Sequence, residues 1–357
     1  MKIKSAVSSL GLGFCLALVV LSCSDVEETE EIKFVAAEAQ VTYVEDIFTW
    51  CPEYVTYTAD NFMLIINACK DTVLQVVNLA TRTEEWIATK GGGPNEIGQL
   101  RPFAAGGEVS LNDGVRYWDP NKQLVFKLQL IEGKLTFEQE YSLKANLVNW
   151  AQMAKTDNGF ITNSIRGGHN FQKIDFEENM EAFYDFHPPL NAPQTGMARN
   201  MLYFKNMDFQ PSRKILVTAL INFPYIILYD QNLNLINQLK TKDIEIIVDD
   251  YDTDTAMAKD RGTAQQYYQV IAGPDFIYAV NNNGSFDSFS KRVFEPIIEI
   301  YDYELNHVGN LKLDQAIRRM TIDFGNKALY FEPWSNLAPE DHSIGKAEIP
   351  KALHHLF

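Results

Sequence analysis

The sequence predicts an all-β chain: a single six-bladed β-propeller of four-stranded antiparallel blades. Three observations carry that reading. Turn-forming residues recur six times at about one blade's spacing. A short apolar strand follows each recurrence. A second series of turns keeps a constant offset from the first over four units. The competing architecture for the same strands is a sandwich or partial array.

The first turn series is Ala59-Asp60-Asn61, Asn112-Asp113-Gly114, Asp157-Asn158-Gly159, Pro211-Ser212-Arg213, Gly273-Pro274-Asp275 and Phe324-Gly325-Asn326. Its middle residues are 53, 45, 54, 62 and 51 positions apart. Asp, Asn and Gly suit these places, because their side chains bond the local backbone or tolerate positive φ. The strands that follow are Phe62 to Ile66, Val115 to Trp118, Phe160 to Thr162, Ile215 to Thr218, Phe276 to Val280 and Leu329 to Phe331. A third strand is predicted at Val73 to Val77, Leu124 to Leu130, Phe171 to Phe176, Tyr225 to Tyr229 and Ile297 to Tyr301. The second turn lies near 80, 133, 178, 232 and 304, an offset of 20 in four units and 30 in the fifth, which carries the insertion Asn281 to Arg292. A sheet that cannot bury both faces alone does so by stacking on its neighbours around an axis. The sixth unit has strands near Met320 to Phe324, Leu329 to Phe331 and Ala347 to Ile349. Residues near Gln40 to Phe48 are predicted to supply its outer strand, which would remove two exposed edges.

The N-terminus has the parts of an export signal: Lys2 and Lys4, then an apolar run from Leu10 to Leu21. The run is shorter than the roughly 20 residues that a bilayer requires. Val20-Leu21-Ser22-Cys23 resembles the lipobox of bacterial lipoproteins. The resemblance implies a signal peptide over residues 1–22 and a membrane anchor through lipid on Cys23. Residues 23–38 are then an acidic, flexible tether, and the propeller occupies 39–357. The acidic stretch Ser24 to Glu31 resembles the surface-export signal of Bacteroidota-type lipoproteins. It implies the outer face of the outer membrane, with the periplasmic face as the alternative.

The 46% hydrophobic content suffices for a substantial core, and the formal net charge of −16 excludes a nucleic-acid partner by repelling phosphates. It also disfavours docking on anionic lipid, which leaves the lipid as the means of membrane attachment. Cys51 and Cys69 remain after processing. They are either a disulfide or two buried thiols of the first blade.

Strands of a meander alternate in direction, so second-to-third loops and inter-blade loops share one face. That face takes the insertions Asn281 to Arg292 and Thr241 to Tyr268, and long loops on a rigid scaffold are where binding residues concentrate. Candidates for the binding face are Arg101, Asp119, Arg166, His169 and Trp334. Each has a bland alternative as a solvated loop residue or a blade-to-blade bond.

The loop Lys90 to Ile97 is not a phosphate-binding loop, since no Gly-Lys-Ser/Thr follows, and no βαβ unit surrounds it. Glycine there permits close backbone approach at an inter-blade crossing. Gly91, Gly93, Pro94 and Glu96 resemble the Gly-Pro-Gly-Glu motif of TolB-like six-bladed propeller lipoproteins, with Asn95 where that motif has glycine. The motif spans eight residues, and the repeat layout extends the likeness over 39–357. It implies a cell-envelope propeller in a polysaccharide-using or adhesive setting, with no catalytic residues and no cofactor.

Other chemistry finds little support. The run Asp249 to Asp254 places carboxylates as in a calcium loop, but Thr255 and Arg261 stand where glycine and glutamate belong. Capping of a short helix from about Thr255 to Arg261 suits these acids better. The six histidines lack metal-site spacing, and no Gly-x-Ser-x-Gly elbow occurs. The leading expectation is a non-catalytic binding protein for a glycan, a peptide or an envelope protein. A polysaccharide lyase or hydrolase, and a structural subunit of an adhesive or uptake assembly, are the alternatives.

Overall fold

The described second strands are largely buried because a neighbouring blade covers each of their faces. Leu216–Leu220 within Ile215–Leu220 is wholly buried, and so is all of Gly159–Asn163. The fourth strands lie at the rim and read as polar: Leu235–Lys240 and Met180–Phe183 are mostly exposed. The computed structural model describes residues 33–49, 51–93, 96–143, 152–163, 169–183, 199–200, 202–243, 264–285, 295–333 and 344–357.

Six sheets result. Blade one is Pro52–Thr58, Phe62–Asn67, Thr72–Asn78 and Thr83–Thr89; blade four is Lys205–Gln210, Ile215–Leu220, Tyr225–Asp230 and Leu235–Lys240. Blades two, three and five repeat this antiparallel order. Blade six orders as Ile317–Asp323, Ala328–Pro333 and Gly345–Glu348, with Val41–Tyr43 antiparallel on the last. The fold is therefore all-β, six blades of four antiparallel strands in a ring.

Among the described residues the core falls into six clusters, one at each junction between blades. Ile66, Leu74 and Tyr117 pack blade one on two; Trp118, Met153 and Phe160 pack two on three. At the closing junction Val55 and Met63 of blade one meet Ile344 of blade six. Tyr57 stacks on Tyr330 across that junction with ring centroids 5.3 Å apart, and Tyr57 N–H donates to Thr321 Oγ1.

Turns between third and fourth strands reuse one device. Asp175, Asp230 and Asp302 each accept the backbone N–H groups of residues two and four positions on. The second oxygen of each accepts the amide of Asn179, Asn234 or Asn306. Glu178, Leu233 and Leu305 take positive φ in these turns. An Asp-x-x-x-Asn word thus repeats in blades three, four and five.

Val35–Ala39, most of which falls in the stretch expected as a tether, is a strand pairing parallel with His307–Leu313 of blade five. A 3-10 helix, Lys351–Leu356, packs beside it and buries Leu353 and Leu356. Cys51 and Cys69 form a disulfide.

Candidate functional site

Residues from all six blades line one cavity of about 800 Å³ around the axis. Its polar wall includes Tyr54 and Thr56 of blade one, Asn206 and Asp208 of blade four, and Arg319 and Thr321 of blade six. Each sits on the first strand of its blade, whose one free edge faces the axis. Arg319 lies over the Tyr54 ring at 3.9 Å and donates to Glu53 O. Among the described residues it has no carboxylate within ion-pair distance.

Blade two departs from the pattern, and this shapes the site. Its first strand pairs over Arg101–Pro102 alone. The chain then leaves the sheet and bonds four other blades in succession. Ala104 N–H donates to Met153 O of blade three, Gly106 to Phe209 O of blade four and Gly107 to Ala272 O of blade five, while Val109 O accepts from Ala59 of blade one. The segment Phe103 to Val109 therefore runs across the axis near the first-to-second turns. A Cβ on Gly106 would stand 2.2 Å from Ala272 O, and Gly107 has φ +81°.

A lobe of the cavity, the part of its lining that lies between blades two and three, includes Arg116, Tyr141, Lys155 and Phe176. Lys155 enters it with its Nζ 5.9 Å from the Phe176 ring centroid. Tyr141 stacks on Phe176, and Arg116 makes a two-point pair with Glu140 at 2.7 and 2.9 Å. Burial holds the Lys155 ammonium below the usual lysine range, and the charge of Arg116 adds to this.

Two buried carboxyls have pKa values pushed up to about 7. For Asp208 the cause is burial, offset by N–H donation from Ala272 and Phe209. For Glu332 it is burial, offset by Arg318 and Arg319; Arg318 bonds one oxygen, and the other has no partner among the described residues. Between about pH 4 and 7 the folded chain holds these protons and the unfolded chain does not. Their contribution to stability is thus greatest in acid and is lost as pH rises through that window. Urea midpoints measured at pH 4.5 and 7.5 should differ less in an Asp208→Asn, Glu332→Gln double variant than in wild type.

Of the sequence-predicted face residues, Arg101 lines the cavity. Asp119 is wholly buried, and its carboxylate accepts N–H groups from Gly98, Asn121 and Lys122. His169 is half-buried beside blade four, its carbonyl accepting from Asn200. Arg166, Trp334, Pro94 and Cys23 lie outside the described residues, as do most of the two insertions. In the motif loop, Glu96 folds back so that Oε2 accepts the Gly93 N–H at 2.5 Å. A Cβ on Gly91 would lie 2.1 Å from that oxygen, so a side chain there would displace the Glu96 carboxylate. Lys122 Nζ donates to the carbonyls of Gly93 and Glu96, tying the loop to blade two.

Sequence reasoning missed Arg319, Lys155 and the crossing segment. The run Ala104-Ala105-Gly106-Gly107 was the available signal, since four small residues mark close backbone approach. Among the described residues no group of three or more His, Cys, Asp or Glu side chains is placed to hold a metal, and no helix is long and apolar enough to cross a membrane.

No family model and no curated protein matches this chain. Solved structures do resemble it. A member of the DUF4221 family from Bacteroides vulgatus superposes with a TM-score of 0.56 at 10% identity, over 88% of this chain and 97% of that one. A candidate exported protein from Bacteroides fragilis gives 0.52 at 10% identity, over 89% and 100%. Likeness at this identity carries the fold alone.

Proposed function

We propose that this protein is an exported, lipid-anchored binding protein of the cell envelope, of the TolB-like lipoprotein type, whose axial cavity receives a negatively charged part of a glycan, peptide or envelope partner. The observation that carries this reading is Arg319. In a chain with a net charge of −16, its guanidinium stands in a cavity of about 800 Å³ without a carboxylate partner among the described residues. A planar fork of donors held over the Tyr54 ring is preorganised for a carboxylate or similar anion. The wall around it offers Thr56, Thr321 and Asn206 as neutral hydrogen-bonding groups, the mixture found in ligand pockets.

The test is binding of the lipidated protein, held in detergent, to an array of acidic and neutral glycans, peptides and envelope proteins. Acidic ligands should be retained, and Arg319→Met should weaken them by about tenfold or more, the worth of one charge-assisted hydrogen bond. Retention that ignores both ligand charge and Arg319 sinks the reading. Turnover of a bound polysaccharide would establish the enzymatic alternative instead. Cys23→Ala should release the protein from the membrane fraction.

A further inference from the structure

We infer that the lobe between blades two and three is a second anion subsite, shaped for an acidic saccharide ring. This rests on the reading of the cavity as a ligand site and specifies the ligand's chemistry. Four observations converge on it.

The first is charge. Arg116 and Lys127 face each other as cross-strand partners in blade two, and both act on Lys155 of blade three. Glu140 is the carboxylate among them, and Arg116 already engages both of its oxygens. Asp157, at the rim, is paired with Lys214 at 2.6 Å. Asp113 lies in the turn at the edge of the cavity.

The second is that Lys155 has no ion pair among the described residues. Its Nζ has no carboxylate within 4.0 Å, Glu140 acts on it only from farther away, and the Phe176 ring centroid lies 5.9 Å from it. A half-desolvated ammonium beside another cation gains from an incoming anion what its surroundings fail to supply.

The third is the aromatic floor. Phe176 is 47% exposed although it packs against Tyr141 and Phe160. Ring edges and faces left open next to cations suit a pyranose with its apolar C–H patch and a charged substituent. A small inorganic anion would leave that apolar surface in water.

The fourth is continuity. The lobe and the axial chamber belong to one cavity, which the segment Phe103 to Val109 also lines. A saccharide chain with charges on successive rings can reach Lys155 and Arg319 together. A single small anion reaches one of them.

The experiment titrates the full lipidated protein in detergent with hexagalacturonate, cellohexaose and sodium sulfate, by calorimetry at 50 mM and 500 mM NaCl. Hexagalacturonate should bind more tightly than the other two and weaken at the higher salt. Lys155→Met keeps the stem against Phe176 and removes the charge, so affinity for hexagalacturonate should fall about tenfold or more. The variant should fold, because no described carboxylate depends on that charge, and unchanged circular dichroism would show it. Phe176→Leu at an exposed site is the second variant, and it should weaken hexagalacturonate while leaving sulfate unchanged. Equal affinity for cellohexaose, or for sulfate, overturns the proposal. If Arg319→Met weakens hexagalacturonate and Lys155→Met does not, the lobe is overturned and the axial reading stands. If none of the three probes binds, both fall.

Discussion

Gly106→Val should lower the stability of this protein by about 3 kcal/mol or more, a loss typical of forced overpacking without room to relax. The obstacle is backbone on two sides. The new Cβ would meet Ala272 O at 2.2 Å and Phe209 O at 2.9 Å, so no side-chain rotation relieves it. Moving the segment away would break the Gly106 and Gly107 bonds to blades four and five together. The midpoint of thermal unfolding should drop by several degrees, on the order of 5 °C for this loss in a chain of this size. Gly92→Ala is the control, because nothing stands within 4 Å of its added Cβ. A Gly106→Val protein that melts with wild type would show that the crossing segment slides without cost.

Removing the disulfide should cost a similar amount. Cys51 precedes blade one and Cys69 follows its second strand, 18 residues later. Closing a loop of that size restricts the unfolded chain by about 3 kcal/mol in the chain-entropy account. Ala68 N–H also donates to Cys51 O, so the native turn holds one further bond when the sulfurs are gone. A Cys51→Ser, Cys69→Ser protein should therefore fold to the same spectrum with a lower urea midpoint and a steeper slope, because its denatured state is less compact. An unchanged midpoint would show that the cross-link does not restrict the unfolded chain.

The blades were legible in the sequence because their turns are local. Asp175, Asp230 and Asp302 bond backbone N–H groups within four residues, so the chemistry that fixes these reversals is written where they occur, whereas Asp60 and Asp157 bond the next blade's turn. The Asp-x-x-x-Asn word escaped notice because its three intervening residues share no chemistry. Only the φ of the fourth residue is common to Glu178, Leu233 and Leu305.

The candidate site was less legible, for a reason visible at Arg319 and Lys155. Each is an unremarkable cation on a strand of ordinary pattern. What distinguishes them is that no described carboxylate stands within ion-pair distance, although Glu332 and Glu140 act on them from farther away. Asp119 shows the converse. A carboxylate beside a loop reads as available, yet three backbone N–H groups from two loops consume it. The crossing segment defeats pattern reading altogether, since its partners lie in four blades and none is near in sequence.

The placement of the two chain ends governs when this molecule can become itself. Val35–Ala39 and Val41–Tyr43 are the first of the described strands, yet their partners are His307–Leu313 and Gly345–Glu348. Thr42 waits for Lys346, 304 residues later. During synthesis, the opening strands stay unpaired until most of the sequence has emerged. Contacts of such long range slow folding and make its last step the decisive one. A chain cut short before residue 345 thus loses the sixth blade's third strand and, with it, the partner of its own beginning.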